Sequence, residues 1–238
     1  LQFKEKFEIP YKKIPNKIKF YMCLGNHDSG NYIHRLFGDR SKYQIEYGIE
    51  SQLQDKKWYL PGHYYTFNKK HGNVKIDFFV IDTNLDFISN ELKDEQMKYM
   101  VKALKSSDAD WKILYGHHTW ISIAGHGNAD SVLDKYIRKL IKLGIDMYMN
   151  GHDHNKQIIE TNIGNRVVTV ITCGTGGKVY DDELNLDDID KKSKLVWHKE
   201  TLGFGTFFCT KKKLRLEMFD EENKLETTYV IHKNKSNI

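Results

Sequence analysis

Three glycine-led turns rich in histidine, each directly after a short apolar run, constrain the fold of this chain more than any other feature. They are Gly-Asn-His-Asp at residues 25–28, Gly-His-His at residues 116–118 and Gly-His-Asp-His at residues 151–154, and they hold five of the 11 histidines. In open α/β sheets, ligands bind beyond the carboxyl ends of the strands, where glycine lets the backbone turn sharply. The three turns therefore predict an α/β fold in which one sheet edge gathers these polar side chains.

The remainder of the chain alternates between strand-like and helix-like patterns. Apolar residues spaced by three and four predict amphipathic helices over residues 92–107 and 130–144, with Asn90 and Asp130 as N-caps and Gly144 as the stop. A less defined helix is predicted over residues 32–37. Strands are predicted where β-branched and aromatic residues cluster, at residues 18–24, 75–83, 112–115, 145–149, 166–173, 205–210, 213–218 and 226–232.

This order of elements predicts one mixed-sheet domain over residues 1–238. Strand and helix alternate through about residue 150, and the closely spaced strands that follow indicate antiparallel hairpins. Turns are predicted at residues 162–165 and 221–223, and residues 181–195, acidic and then basic, are predicted to form a mobile surface loop.

Composition excludes several classes of protein. With 39% hydrophobic and 29% charged residues among 238, the chain is neither collagen-like nor intrinsically disordered. Its apolar runs are far shorter than the about 20 residues of a membrane span, so no transmembrane segment is predicted. The net charge of +5 comes from scattered basic residues, which predicts anionic substrates and no nucleic acid. The oligomeric state is left open.

The cysteines and a glycosylation sequon bear on the compartment. Cys23, Cys173 and Cys209 have no Cys-x-x-Cys spacing, which excludes a zinc ribbon and predicts buried thiols. The alternative, a disulfide between two of them, would suit a secretory compartment. The sequon Asn234-Lys235-Ser236 is typical of a glycoprotein of the secretory pathway. The expected location is therefore secretory, vacuolar or extracellular.

The spacing within the third turn indicates metal chemistry. His152 and His154 follow a strand and are two residues apart, so their side chains start about 6 to 7 Å from one another. That separation suits one ligand on each of two metals about 3.5 to 4 Å apart. Imidazoles and an asparagine oxygen favour Zn, Mn or Fe over Ca or Mg.

The order of the three turns resembles that of the calcineurin-like metallophosphoesterases, and within them the small, tartrate-resistant type of purple acid phosphatase. Further segments carry the same resemblance, namely LPGHYYTF, FFVIDT, ILYGHHTWISIAGHG, MYMNGHDHN, TCGTGG and LGFGTFF. The resemblance implies a β-sandwich of two mixed sheets flanked by helices. It also implies an acid phosphatase that hydrolyses phosphate monoesters with a metal-bound hydroxide as the nucleophile.

The resemblance assigns roles to six residues. Asn26, His117 and His152 would bind a divalent metal (Fe, Zn or Mn), and His154 would bind Fe(III). The catalytic pair would be His27 and His126, which contact the substrate phosphate and protonate the leaving oxygen. The family pattern leaves His118 outside the site and gives Asp28 and Asp82 turn-fixing roles.

Two motif blocks of the family are absent before residue 25. An Asp-x-Gly turn and a Gly-Asp-x-x-Tyr turn supply an Asp ligand, the bridging Asp and a tyrosinate in the family, and residues 1–24 hold neither turn. The chain is therefore predicted to lack the first βαβ unit of the fold and to be an incomplete record of a longer protein.

Two alternatives stay open at this stage. One is a phosphodiesterase or protein phosphatase of the same superfamily, because Gly-Asn-His and Gly-His-x-His occur throughout it. The other is a catalytically inactive relative that acts as a scaffold or membrane-anchored partner. Retention of all six proposed site residues favours catalysis over the inactive scaffold.

Overall fold

The computed structural model describes residues 2–30, 39–180, 184–189 and 191–233. A mixed sheet of seven strands forms its centre, in the order β3-β4-β5-β6-β8-β7-β9. Strands β4, β5, β6 and β8 run parallel, while β3, β7 and β9 each run antiparallel to a neighbour. The bounds are β3 Tyr65–His71, β4 Val74–Val80, β5 Trp111–Tyr115, β6 Met147–Asn150, β7 Lys156–Ile163, β8 Arg166–Cys173 and β9 Ser193–Lys199.

Two smaller sheets complete the described strands. An antiparallel sheet contains β10 Gly203–Cys209, β11 Lys213–Asp220 and β12 Leu225–His232. A parallel pair joins β1 Phe20–Tyr21 to β2 Trp58–Tyr59. The described helices are α1 Asn26–Ser29, α2 Ser41–Leu53, α3 Asn90–Ser106 and α4 Ser131–Ile141, with a π-helical turn at Lys4–Glu8 and a 3₁₀ turn at Leu186–Asp188. None of these helices is long and apolar enough to cross a membrane.

The seven-stranded sheet is buried on both faces. Phe79 and alternate residues of its neighbours point to one face, where they pack against Met100 of α3 and Ile137 of α4. Phe78 and its counterparts point to the other face and pack against Leu214 and the rest of the three-stranded sheet. The result is an α/β sandwich with helices outside the central sheet, and this confirms the expected fold class.

The predicted N-cap is confirmed for α4 but not for α3. The Asp130 side chain accepts hydrogen bonds from the N–H groups of Val132 and Leu133, at 2.7 and 2.9 Å, which confirms it as the cap of α4. The prediction that Asn90 caps α3 is wrong. Ser89 takes that position, with extended backbone and a hydroxyl that accepts from the Leu92 N–H.

Several strand predictions need correction. The predicted strand at residues 18–24 shortens to Phe20–Tyr21, because at its end the hydroxyls of Tyr115 and Tyr65 donate to the Tyr21 and Met22 carbonyls. Strands β2, β3, β7 and β9 are absent from the predicted set. Residues 193–195 belong to β9 instead of the predicted surface loop, since Leu195 packs against the helix-covered core. The helix predicted at residues 32–37 lies outside the described residues.

Candidate metal centre

Two of the histidine-rich turns follow adjacent parallel strands and are hydrogen-bonded to one another. Strand β5 ends one residue before Gly116, whose N–H donates to the Met149 carbonyl at 3.2 Å. Strand β6 ends one residue before Gly151, whose N–H donates to the His117 carbonyl at 3.0 Å. The first turn lies against them, because a Cβ added to Gly25 would be only 3.0 Å from His117 Nδ1. A side chain at residue 25 would therefore push the His117 ring by a few tenths of an ångström.

Three side chains from these turns converge on one point. His117 Nε2 lies 2.9 Å from Asn26 Oδ1 and 3.0 Å from His152 Nδ1. Ligand nitrogens about 2.0 to 2.1 Å from a tetrahedral zinc are about 3.3 to 3.4 Å from one another. A shift of a few tenths of an ångström would therefore bring His117 Nε2 to the separation from Asn26 Oδ1, and from His152 Nδ1, that two ligands of one ion have. The donor set of two imidazoles and one amide oxygen fits a divalent transition metal.

His118 lies beside this point, although the sequence prediction left it outside the site. Ligand atoms of His117, His118 and His152 all lie within 4.8 Å of one another. The ring of His118 is 4.6 Å from that of His152 between centroids, and its Nδ1 is 2.7 Å from Thr83 Oγ1. Successive side chains of a strand point to opposite faces, but residues 116–118 form a turn in which that rule fails.

The backbone of His152 is in the left-handed region, with φ at 65°. This conformation costs a residue other than glycine free energy, and such residues cluster at functional sites. Here it aims the His152 ring back toward His117, two residues after the end of β6. The left-handed backbone of His152 thus brings its ring into contact with His117.

Burial keeps the central imidazoles neutral. Burial, together with the charge of the neighbouring His118, lowers the pKa of His117 and of His152 to about 3. Burial also lowers the pKa of His118. Neutral imidazole is the form that binds a metal, so these side chains are in the ligand form well below neutral pH.

A buried network holds the loop that carries His126. The His126 N–H donates to Asp153 Oδ1 at 3.0 Å, and the other oxygen of this fully buried carboxylate accepts from the Ser122 hydroxyl. Gln157 donates to the same hydroxyl at 2.8 Å and accepts from the Ile123 N–H at 3.1 Å. Sequence reasoning missed this network, whose members are polar residues near the motifs with no spacing signal of their own.

The network brings His126 to the metal cluster. The exposed His126 ring stacks on the His152 ring at 3.9 Å between centroids and 25° between planes. His27 is also exposed, one residue after Asn26 in α1, and its charge contributes to the lowered pKa of His117. Both histidines that were predicted to be catalytic therefore lie on the solvent side of the cluster.

His154 lies next to the cluster. It is not one of the three histidines whose ligand atoms all lie within 4.8 Å of one another. Its charge contributes to the lowered pKa of His117 and of His152. Its ring stacks on Tyr180, 4.4 Å between centroids. The described residues thus bring the donor atoms of His117, His118 and His152 together, with His154 beside them.

Asp28 and Asp82 fix turns, as the sequence indicated. Asp28 accepts from the Gly25 N–H at 2.7 Å, which closes the first turn on itself. Asp82 accepts from the Asn84 N–H at 2.9 Å and lies 2.7 Å from His63 Nδ1.

Comparisons with known proteins identify a family to which the chain is similar. Residues 2–156 match the family described as "Calcineurin-like phosphoesterase". The chain is 25% identical over 229 residues to "Purple acid phosphatase 17" of Arabidopsis thaliana, which covers 92% of this chain and 64% of the relative. It is 28% identical over 192 residues to human "Tartrate-resistant acid phosphatase type 5", which covers 74% of this chain and 54% of the relative. The chain thus spans about half to two thirds of the length of these relatives.

Solved structures share the fold. One is described as "GAP50 the anchor in the inner membrane complex of Plasmodium", with a TM-score of 0.76 and 19% identity over 99% of this chain and 73% of that one. Another is the purple acid phosphatase PPD1 from yellow lupin (Lupinus luteus) seeds, with a TM-score of 0.63 and 18% identity over 92% of this chain and 40% of that one. At these identities the similarity is one of fold.

Proposed function

Because the chain belongs to the calcineurin-like phosphoesterase family, we propose that it carries the metal centre of an acid phosphatase that hydrolyses phosphate monoesters. The observation that carries the proposal is the convergence of Asn26, His117 and His152, whose donor atoms lie 2.9 and 3.0 Å apart at one sheet edge. The acid phosphatases among its relatives support this substrate class, and the net charge of +5 favours anionic substrates.

These three residues would hold a divalent ion, either Fe, Zn or Mn. Such an ion polarises a phosphoryl oxygen and lowers the pKa of a coordinated water. Asn26 and the two imidazoles are all neutral ligands, so they leave the positive charge of the ion available to the phosphate dianion. The strained backbone of His152 holds this arrangement in place before substrate binds.

We propose His154 as a ligand of a second metal, Fe(III) in the pattern of the purple acid phosphatases. Among the described residues His154 is the one ligand assigned to that ion. One imidazole does not suffice to hold a ferric ion. The described donors at this position therefore do not by themselves fit Fe(III).

His27 and His126 are proposed to act on the substrate directly. Both rings are exposed on the solvent side of the cluster, where a phosphate bound to the metal would lie. An imidazole there can hold an equatorial phosphoryl oxygen and donate a proton to the departing alkoxide. The Asp153 contact with the His126 backbone keeps the second of these rings over His152.

Metal content and turnover measured together test the proposal. The full-length wild-type protein is expected to bind a divalent metal and to hydrolyse para-nitrophenyl phosphate faster than the bis ester. Asn26→Ala and His152→Ala should each lose most of the bound divalent metal, whereas His27→Ala should keep the metal and lose about 100-fold in kcat. His232→Ala, on the exposed face of β12, serves as the control and should match the wild type.

The outcomes separate the alternatives. Normal metal occupancy in both Asn26→Ala and His152→Ala would refute the assigned ligands. Faster turnover of the bis ester would identify a phosphodiesterase. A full-length protein with neither metal nor turnover would support the inactive scaffold.

The sequon Asn234-Lys235-Ser236 supports the proposed secretory, vacuolar or extracellular location. The electrophoretic mobility of the protein before and after endoglycosidase treatment tests this location.

A further inference from the structure

A glycine-rich segment after β8 lies at the same sheet edge as the metal cluster. Strand β8 pairs in parallel with β6, and Thr172 is in register with Asn150 at the ends of the two strands. The segment that follows, Gly-Thr-Gly-Gly-Lys-Val-Tyr at residues 174–180, therefore leaves the sheet beside the turn at residues 151–154. Nothing in the proposed mechanism uses it.

Two contacts hold this segment on the His154 turn. The Tyr180 ring stacks on the His154 ring, with 4.4 Å between centroids and 21° between planes. The Tyr180 N–H donates to the His154 carbonyl at 3.3 Å. The end of the segment is thereby fixed directly against a proposed metal ligand.

The same tyrosine positions a lysine. Lys178 Nζ lies 4.2 Å from the centre of the Tyr180 ring and donates to its hydroxyl at 3.0 Å. Two contacts to one ring place the ammonium group next to the His154 side of the cluster. An ammonium has three N–H donors, and Tyr180 uses one of them.

The segment also leaves room for a ligand beside the lysine. Gly176 and Gly177 are exposed, and a Cβ added to either would have no atom within 4 Å. Because glycine carries no side chain, an anionic group can approach the backbone here closely. An ammonium group is a compact point charge that binds phosphate and carboxylate well.

We propose that Lys178 and Tyr180 select substrates by binding a second anionic group, a carboxylate or a second phosphate, of the phosphate monoester. The inference rests on the proposed function, since it names the class of ester that the same site accepts. Tyr180 acts as a positioning residue for Lys178, and Lys178 makes the contact with the substrate.

Paired ligands that differ by one carboxylate test the inference. Calorimetry would compare the Kd of phenylphosphonate with that of 4-carboxyphenylphosphonate, which bind without turnover, and kcat/KM would compare the corresponding phosphate esters. The wild type should prefer the carboxylated member of each pair. Lys178→Met should lower that preference about tenfold, and Lys178→Arg should restore most of it.

Two further variants sharpen the result. Tyr180→Phe keeps the ring on His154 but removes the hydroxyl that accepts from Lys178, so it should lower the preference by a smaller factor. Lys139→Met removes an exposed charge from α4 and should leave the preference unchanged. Metal content is measured in each variant, because a lost metal would weaken both ligands equally.

The outcomes distinguish this inference from the proposed function. An unchanged preference in Lys178→Met, or an equal loss of affinity for both phosphonates, would overturn the inference. Binding with the expected preference but no hydrolysis of either ester would refute the phosphatase and leave the anion site standing. A wild type that binds neither phosphonate would overturn both.

Discussion

His118 supports the metal cluster from the side. Its ring contacts the His152 ring, and its Nδ1 and backbone N–H both lie within hydrogen-bond distance of Thr83 Oγ1, at 2.7 and 3.1 Å. Its carbonyl accepts from the buried Tyr148 hydroxyl at 2.7 Å. These contacts fix the second turn, and with it the position of the adjoining His117, so His118 acts in support of a ligand.

Replacing His118 by alanine should therefore weaken metal binding without abolishing it. Loss of an outer partner costs about 10- to 100-fold in metal affinity, whereas loss of the ligand in His117→Ala should remove nearly all binding. A titration with zinc against a competing chelator measures both variants. If His118→Ala lost as much affinity as His117→Ala, His118 would be a ligand itself.

The lowered pKa values of His117 and His152 make the metal-free protein sensitive to acid. In the folded protein these pKa values are about 3, against an ordinary value of 6.5. Between those limits the unfolded chain binds more protons than the folded one, so the free energy of unfolding falls as the pH falls. The loss of unfolding free energy begins below pH 6.5 and is complete near pH 3.

A melting experiment on metal-free protein checks this dependence. The wild type should melt at a lower temperature at pH 4.5 than at pH 7. His152→Gln removes one buried imidazole and should show a smaller difference between the two values. Equal differences in the two proteins would show that His152 does not contribute to the acid sensitivity.

At the scale of elements, the loop after β8 and the His154 turn are packed too closely for any side chain between them. A Cβ added to Gly174 would lie 2.0 Å from the Asp153 carbonyl oxygen, which belongs to backbone and cannot rotate away. Asp153 in turn holds the loop of His126. Close packing at Gly174 thus aligns the loop after β8, the His154 turn and the loop of His126.

Gly174→Ala should therefore destabilise the protein and disturb the site together. Overpacking of this kind costs about 1 to 3 kcal/mol of unfolding free energy, and metal affinity should fall with it. Gly176→Ala is the matched control, because a Cβ there has open space, and its effect should stay within about 0.5 kcal/mol. Urea unfolding and metal titration measure both; similar behaviour of the two variants would contradict the close packing.

The elements that sequence predicted are those that bury a regular apolar face. In α4 the stripe of Leu133, Ile137 and Leu140 is the face that packs on the central sheet. Helix α2 escaped prediction because its buried residues are small and carry no apolar period, among them Gly48, where a Cβ would lie 2.2 Å from the Leu60 carbonyl. Close backbone approach of this sort depends on the partner strand, which local sequence does not encode.

In the candidate site, too, sequence predicts some residues and only the structure locates others. Glycine-led turns after strands predict where Asn26 and the histidines gather, because that signal is local. The positions of His118 and Tyr180 depend on which turn lies beside which. Both residues were therefore found only through their contacts, with Thr83 and His154 respectively.

At the scale of the whole molecule, one buried ion pair joins the two sheets of the sandwich. Lys156 begins β7 of the seven-stranded sheet, two residues after His154, and Glu226 lies in β12 of the three-stranded sheet. Their side chains are 0% and 2% exposed and in direct contact. Lys156 also donates to the Phe219 carbonyl at 3.0 Å, and Glu226 accepts from the Thr201 hydroxyl at 2.6 Å.

Lys156 and Glu226 differ in the contacts that each keeps when the other side chain is removed. Glu226 keeps an ion pair with the half-exposed Lys199 at 3.0 Å and the hydroxyl of Thr201. Lys156, without Glu226, is a buried cation held by carbonyl oxygens alone among the described residues. Removing one partner of a buried pair is strongly destabilising because the other charge stays buried.

Glu226→Leu should therefore lower the free energy of unfolding by about 3 to 5 kcal/mol, and Lys156→Met by less. The double variant should be more stable than Glu226→Leu alone, because no buried charge then lacks its partner. Asp55→Asn removes an exposed ion pair with Lys19 and should cost no more than about 1 kcal/mol. Guanidinium unfolding of the four variants measures these differences. If both single variants lost the same amount and the double variant lost their sum, the two side chains would be acting independently and the sheets would be joined by apolar packing instead.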